Sequence, residues 1–211
     1  ISQVLGKIDL RPLVSDESKL QFLSGELTED GKRFLYVSDA GGCSIVVWDV
    51  RVQRGYRALL PPAVYTQGGK KDVLYMALLG PTLYLTYLSA RAVFQVETAL
   101  LRRGASTGPV TVTGIKPSPM VFLGTDGSST LFLRPRGGGA IYAWRSDGDF
   151  SPENIVLVQE EEDCRRATHV TPGYKSLVWA LRSNFHDFIH GRVGCLGVSA
   201  ILAPLVRTWD T

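Results

Sequence analysis

Helical periodicity is almost absent from this chain. Apolar residues do not recur at three- and four-residue spacing over the length of a globular helix, which argues against a helix bundle. Cysteine is scarce as well. Cys43, Cys164 and Cys195 fall at wide spacing and match no CxxC or Cys/His zinc pattern, so no metal site and no cofactor are expected. The sequence has no Asn-x-Ser/Thr sequon, which removes N-glycosylation of this segment. Lys and Arg are not gathered into a stripe. They are scattered as Lys70-Lys71, Arg102-Arg103 and Arg165-Arg166 in a chain of net charge +3, and nucleic acid is set aside as a partner. No basic region with a small-residue cleavage site follows Ile1, so a targeting peptide is expected to lie upstream or to have been removed.

One uncharged run reaches membrane length. Residues 73–90 carry no charge over eighteen positions, but Gly80-Pro81 stands at the centre, between two β-rich halves. That composition reads as a strand hairpin, and no membrane partner is expected. With 211 residues, 45% of them apolar, the chain has enough material for one core or for part of a larger repeat fold.

Short β-rich runs separated by Gly, Pro, Ser and Asp fall into register when the chain is laid against itself. Phe34-Leu35-Tyr36-Val37, Thr82-Leu83-Tyr84-Leu85, Thr130-Leu131-Phe132-Leu133 and Ser176-Leu177-Val178-Trp179 start 48, 48 and 46 residues apart. Eleven residues after each start lie Ile45, Val93, Ile141 and Asp187; fourteen after lie Trp48, Val96, Trp144 and His190. The fourth copy has diverged. Further strands are expected before the later anchors, at 74–78, 121–124 and 168–171, and outer strands at 57–60, 110–115 and 155–158. Asp126-Gly127, Asp147-Gly148 and Pro172-Gly173 supply hairpin turns. Four antiparallel strands in a unit of about 47 residues describe an all-β chain whose units are β-propeller blades. The whole of 1–211 then reads as about four blades of one larger ring, with an irregular beginning over residues 1–25. An unfinished ring exposes strand edges and apolar faces, so a missing N-terminal propeller segment is expected as a partner.

Cysteine pairing stays open at this stage. Cys164 and Cys195 share the C-terminal unit and are the disulfide candidates, with Cys43 left over; three buried thiols in a reducing compartment are the alternative.

The wording of the repeat resembles a known family. Phe34-Leu35-Tyr36-Val37-Ser38-Asp39-Ala40-Gly41-Gly42, followed by Ile45-Val46-Val47-Trp48-Asp49, is similar to a segment of the yellow / major royal jelly proteins of arthropods. So are Tyr142-Ala143-Trp144 with Phe150-Ser151-Pro152-Glu153-Asn154, and Val178-Trp179-Ala180-Leu181 with Phe188, Gly191 and Cys195. The resemblance covers residues 25–195 in the family's order. It implies a secreted, extracellular, six-bladed propeller of which this chain supplies the C-terminal blades.

Some members of that family, salivary proteins of blood-feeding flies, bind biogenic amines at one end of the channel through a Thr, an Asn and a Phe. The resemblance places those roles on Thr168, Ser183 and Phe185, with Ser in place of Asn. Thr168 begins an innermost strand and Ser183 and Phe185 end the next, so an antiparallel blade brings all three to one edge. A hydroxyl there accepts from an ammonium and Phe185 stacks on a ring or faces a cation. Strand alternation puts His169 on the opposite side from Thr168 and, in a strand, would separate His186 from Asp187, so these are read as loop histidines. Glu160-Glu161-Glu162-Asp163 reads as a solvated loop, and Gly137-Gly138-Gly139 as turn geometry matching Gly41-Gly42.

No catalytic residues are assigned. The chain has no G-x-S-x-G elbow, no H-E-x-x-H and no P-loop. A metal-dependent lactonase would need inward Glu, Asn and Asp ligands from several blades, and that set cannot be assembled. The reading reached is a propeller that binds a small aromatic amine or catechol-type ligand at the channel mouth. The alternatives are dopachrome conversion in melanin formation, which the resemblance alone suggests, and a structural pigmentation protein that acts by assembly into oligomers.

Overall fold

The computed structural model describes residues 6–104, 107–161, 163–173, 177–192 and 197–205. Fifteen strands are found among them, grouped as the repeat requires. Blade one is β1 (Leu20–Leu27), β2 (Arg33–Asp39), β3 (Ser44–Asp49) and β4 (Arg54–Leu59). A one-turn helix, α1 (Pro62–Tyr65), leads to blade two, which is β5 (Leu74–Leu79), β6 (Thr82–Tyr87), β7 (Ala92–Glu97) and β8 (Thr111–Ile115); α2 (Thr98–Leu101) lies between its last two strands. Blade three is β9 (Met120–Thr125), β10 (Thr130–Pro135), β11 (Ile141–Arg145) and β12 (Ile155–Gln159). Blade four is β13 (Arg166–Pro172), β14 (Val178–Ser183) and β15 (Ala200–Pro204), with α3 (Phe185–Ile189) inserted after β14.

Within each blade the neighbouring strands pair antiparallel. Residues 73–90 form the hairpin that the Gly-Pro breaker implies, with Leu79 opposite Thr82 and Gly80 at φ 53° in the turn. One expectation is corrected. The beginning is irregular only as far as Lys19, because Leu20–Leu27 is the innermost strand of blade one. The divergence of the fourth copy takes the form of a helix: the chain around Asp187 and His190 winds into α3, and the partner of β14 comes from the tail, at Ala200–Pro204. The start of its anchor, Ser176, lies outside the described residues.

Alternation along each strand sends one set of side chains toward the next blade, and the core lies between blades. Ile45 and Val47 of blade one meet Leu74, Leu83, Leu85 and Tyr87 of blade two. Tyr84 and Val93 of blade two join Leu131, Phe132 and Trp144 of blade three in a core that runs on to Val170 and Ala180 of blade four. Trp144 is wedged edge-on against Tyr84 and Phe150, at 5.3 and 5.1 Å between ring centroids, and its Nε1 donates to the Asp149 carbonyl. Trp48, at the matching place in blade one, is only half-buried, since no earlier blade covers it and Leu13 packs beside it.

Polar pins fix the loops within blades. The buried Lys116 ammonium donates to the carbonyls of Tyr87 (2.8 Å) and Leu88 (3.3 Å), and burial brings its pKa down to about 8. The Phe34-to-Gly42 motif is explained by Asp39, whose buried carboxylate accepts from Ser18 Oγ (2.7 Å), the Lys19 N–H (2.8 Å) and the Gly42 N–H (2.9 Å), with Arg57 at 3.6 Å. Gly41 must be glycine there because a Cβ would lie 1.8 Å from the Glu17 carbonyl oxygen. The Gly137-to-Gly139 turn occupies the same place between β10 and β11.

Blades three and four meet backbone to backbone. Gly124 of β9 forms a parallel bridge with Val170 of β13, which merges the two blades into one seven-stranded sheet. Gly124 has φ 138°, and a Cβ on it would stand 1.9 Å from the Val170 carbonyl oxygen. Neither the conformation nor the contact admits a side chain. Gly124→Ala is therefore expected to destabilise the protein by about 3 kcal/mol or more. Urea denaturation checks this, and a midpoint equal to that of the parent contradicts it.

Candidate functional site

The four innermost strands β1, β5, β9 and β13 stand around one axis and enclose a concavity of about 480 Å³. Phe22 and Phe122 line it, and the buried Tyr75 lies between them in the core, so that the three rings form a ladder. Phe22 of β1 lies 5.0 Å from Tyr75 of β5, and Tyr75 lies 6.1 Å from Phe122 of β9, both pairs tilted. Phe122 stands eight residues before its anchor and Tyr75 seven, so the repeat itself could have exposed the ladder; it was missed in the sequence. Thr168 stands eight residues before the fourth anchor, and a threonine therefore takes the place of an aromatic in blade four.

Thr168 lines this concavity. Its hydroxyl donates to the Leu181 carbonyl across the blade at 3.2 Å. The β13/β14 register slips between Ala167 and His169, making Thr168 the extra residue of a bulge. Simple alternation fails at that point, and His169 also lines the concavity, on the same wall as Thr168 rather than away from it. Ser183 ends β14 opposite Arg166, two residues before Thr168, and Phe185 opens α3. The three residues thus belong to one edge of blade four, although Ser183 and Phe185 are not part of the lining of the concavity. Phe185 stacks on Phe188 at 6.3 Å, and both rings are exposed.

His186 and Asp187 sit in α3 and not in a strand. The imidazole Nε2 folds back to 3.2 Å from the Asp187 carboxylate, and His190 Nδ1 lies 2.6 Å from the His186 carbonyl oxygen. In the acidic run Glu160 and Glu161 are exposed, Asp163 is bound by Arg165, and Glu162 lies outside the described residues. Cys43 is buried and free, whereas Cys164 is engaged; Cys195 lies outside the described residues. Among the described residues no group of three or more His, Cys, Asp or Glu could hold a metal ion, and no helix is long and apolar enough to cross a membrane.

Among the described residues that line the concavity the one carboxylate is Glu26, and it is fully engaged. It accepts from Arg102 Nη1 at 2.6 and 2.7 Å, from Thr98 Oγ1 at 2.7 Å and from the Tyr36 hydroxyl at 2.5 Å. This network ties the innermost strand of blade one to α2 of blade two. Burial acts to raise the Glu26 carboxyl, but the hydrogen bonds from Tyr36, Arg102 and Thr98 outweigh it and hold the group below its ordinary value of 4.5.

The model of the major royal jelly proteins matches residues 1–198. The chain belongs to that family. No curated protein is similar enough in sequence to be matched. Among solved structures the family member is similar to streptogramin B lyase, with TM-score 0.50 and 15% identity over 80% of this chain. It is also similar to the calcium-binding protein regucalcin from Agrobacterium tumefaciens, with TM-score 0.51 and 13% identity over 92% of this chain and 76% of that one. At these identities the likeness is one of fold alone. The chain spans 49% of the lyase.

A carboxyl whose pKa is depressed on folding adds stability that is fully present above its unfolded value and is lost as pH falls through the folded one. Glu26→Gln is accordingly expected to cost about 2 kcal/mol at pH 7, and less on acidification below pH 4.5, where the parent loses the same interaction. Thermal melts of both proteins from pH 7 to pH 3 check this; a difference that does not change with pH contradicts it.

Proposed function

We propose that this chain supplies blades of a secreted, ring-closed propeller whose channel binds a small aromatic amine or catechol-type ligand beside Thr168. The observation that carries this reading is the concavity between the innermost strands, in which Phe22 and Phe122 line the wall together with Thr168. A planar ring has area to bury there, and a hydroxyl beside it gives polar direction. Ser183 and Phe185, at the same edge of the blade, would cap the ligand from the mouth. Family membership supports secretion, in which a Cys164–Cys195 disulfide would tie the loop before β13 to the segment before β15.

Ring closure by further blades belongs to the same proposal. Val178 and Ala180 are buried against blade three, while Leu181 and its cross-strand partner Leu202 are 38% and 60% exposed on the other face. In each of the first three blades the corresponding apolar face is covered by the next one.

Isothermal calorimetry with serotonin, dopamine, octopamine and 3,4-dihydroxyphenylalanine tests the ligand reading. At least one is expected to bind, and Thr168→Ala to weaken it about tenfold, the scale of one hydrogen bond. No heat with any of the four overturns the reading.

A further inference from the structure

Blade four has three strands among the described residues, one fewer than the other blades. In each of those the third strand pairs on its outer side with a fourth: β3 with β4, β7 with β8 and β11 with β12, antiparallel in every case. In blade four β15 is third in order, and its sheet ends there among the described residues. Residues 206–211 are too few to make up the difference. The tightest connection from a third strand to a fourth spans residues 50–53, and the fourth strands are five or six residues long. Connection and strand together take more chain than 206–211 holds.

The backbone of β15 shows which groups are left over. At its two ends the Ser199 carbonyl accepts from the Asn184 N–H at 3.1 Å, and the Leu205 N–H donates to the Val178 carbonyl at 2.7 Å, so the odd-numbered positions bond to β14. Ala200 and Leu202 therefore turn their N–H and C=O groups to the outer side, with the Pro204 carbonyl beyond them. Pro204 has no N–H, and it stands at an outward position where the ladder to β14 loses nothing. Leu202 is 60% exposed opposite Leu181, on the face left uncovered by blade three. An open edge with an apolar side chain on it is a template for one more strand.

We propose that a strand from the N-terminal segment of the ring, the chain that leads into the first of the further blades, completes blade four by pairing antiparallel with β15 across Ala200–Leu202. This rests on the ring-closure reading above and names the partner of that end of the row. Its source follows from the connections of the repeat. β4 runs on to β5, β8 to β9 and β12 to β13, so the chain that enters the innermost strand of a blade has just left the outer strand of the blade before it. In a ring whose further blades precede this chain, the first of them packs on blade four and obeys the same rule. The incoming strand is short, because Pro204 ends the run of outward N–H groups, and apolar where it lies opposite Leu202.

Hydrogen exchange read amide by amide, on the protein from its natural source with its further polypeptide, tests this. The Ala200 and Leu202 amides are expected to exchange about a hundredfold or more slowly than in an unstructured peptide. A recombinant form without the stretch that precedes the first of the further blades should lose that protection, while a form ending at Leu205 should keep it. Exchange of both amides at the unstructured rate in the intact protein overturns the proposal and leaves ring closure standing, whether or not the shortened forms fold. Protection that survives loss of the leading stretch, or that disappears with the sequence after Leu205, overturns it likewise. A protein that carries no further polypeptide removes ring closure and this proposal together.

Discussion

A blade has two apolar faces and cannot cover either by itself. Every other feature of the fold follows from that constraint. Where both faces are covered, consecutive strand residues are buried, and Ile45, Leu83, Val93, Leu131 and Ile141 are wholly so, in cores shared between one blade and its neighbour. Stability therefore resides in junctions, and each junction carries its own device. Glu26 with Arg102 joins blades one and two, Gly114 of β8 bridges Phe150 between blades two and three, and Gly124 against Val170 draws blades three and four to backbone contact. What remains over is one uncovered face at each end of the row.

The same constraint creates the site. Because blades pack around an axis, their innermost strands converge with little between them, and the residues at one level of the repeat meet although they are nearly fifty positions apart in the chain. Phe22, Tyr75 and Phe122 form a ladder for that reason, and Thr168 continues it. Glu26, the one carboxylate among the described residues that line the concavity, is spent on holding two blades together.

Much of this was legible in the residues. Gly80-Pro81 inside an uncharged β-rich run announced a hairpin, and the recurring anchors marked β2, β6 and β10 at their places. The innermost strand of blade one was hidden because Leu20–Leu27 includes Ser24 and Gly25 and precedes the first anchor at a different distance from the later ones. The helix α3 spans five residues, too few for periodicity to register. The bulge at Thr168 has no sequence signature, since one extra residue in a strand changes the register of everything after it without changing composition. That bulge, which moved His169 onto the channel wall, is the point at which alternation along a strand gave the wrong side.

Closure of the ring is the central claim, and mass tests it most directly. Native mass spectrometry of the protein purified from its natural source should show this chain associated with, or continuous with, further polypeptide sufficient for at least two blades, on the order of 100 residues or more at about 47 per blade. A single copy of the 211-residue chain, alone, monodisperse and folded, would contradict it.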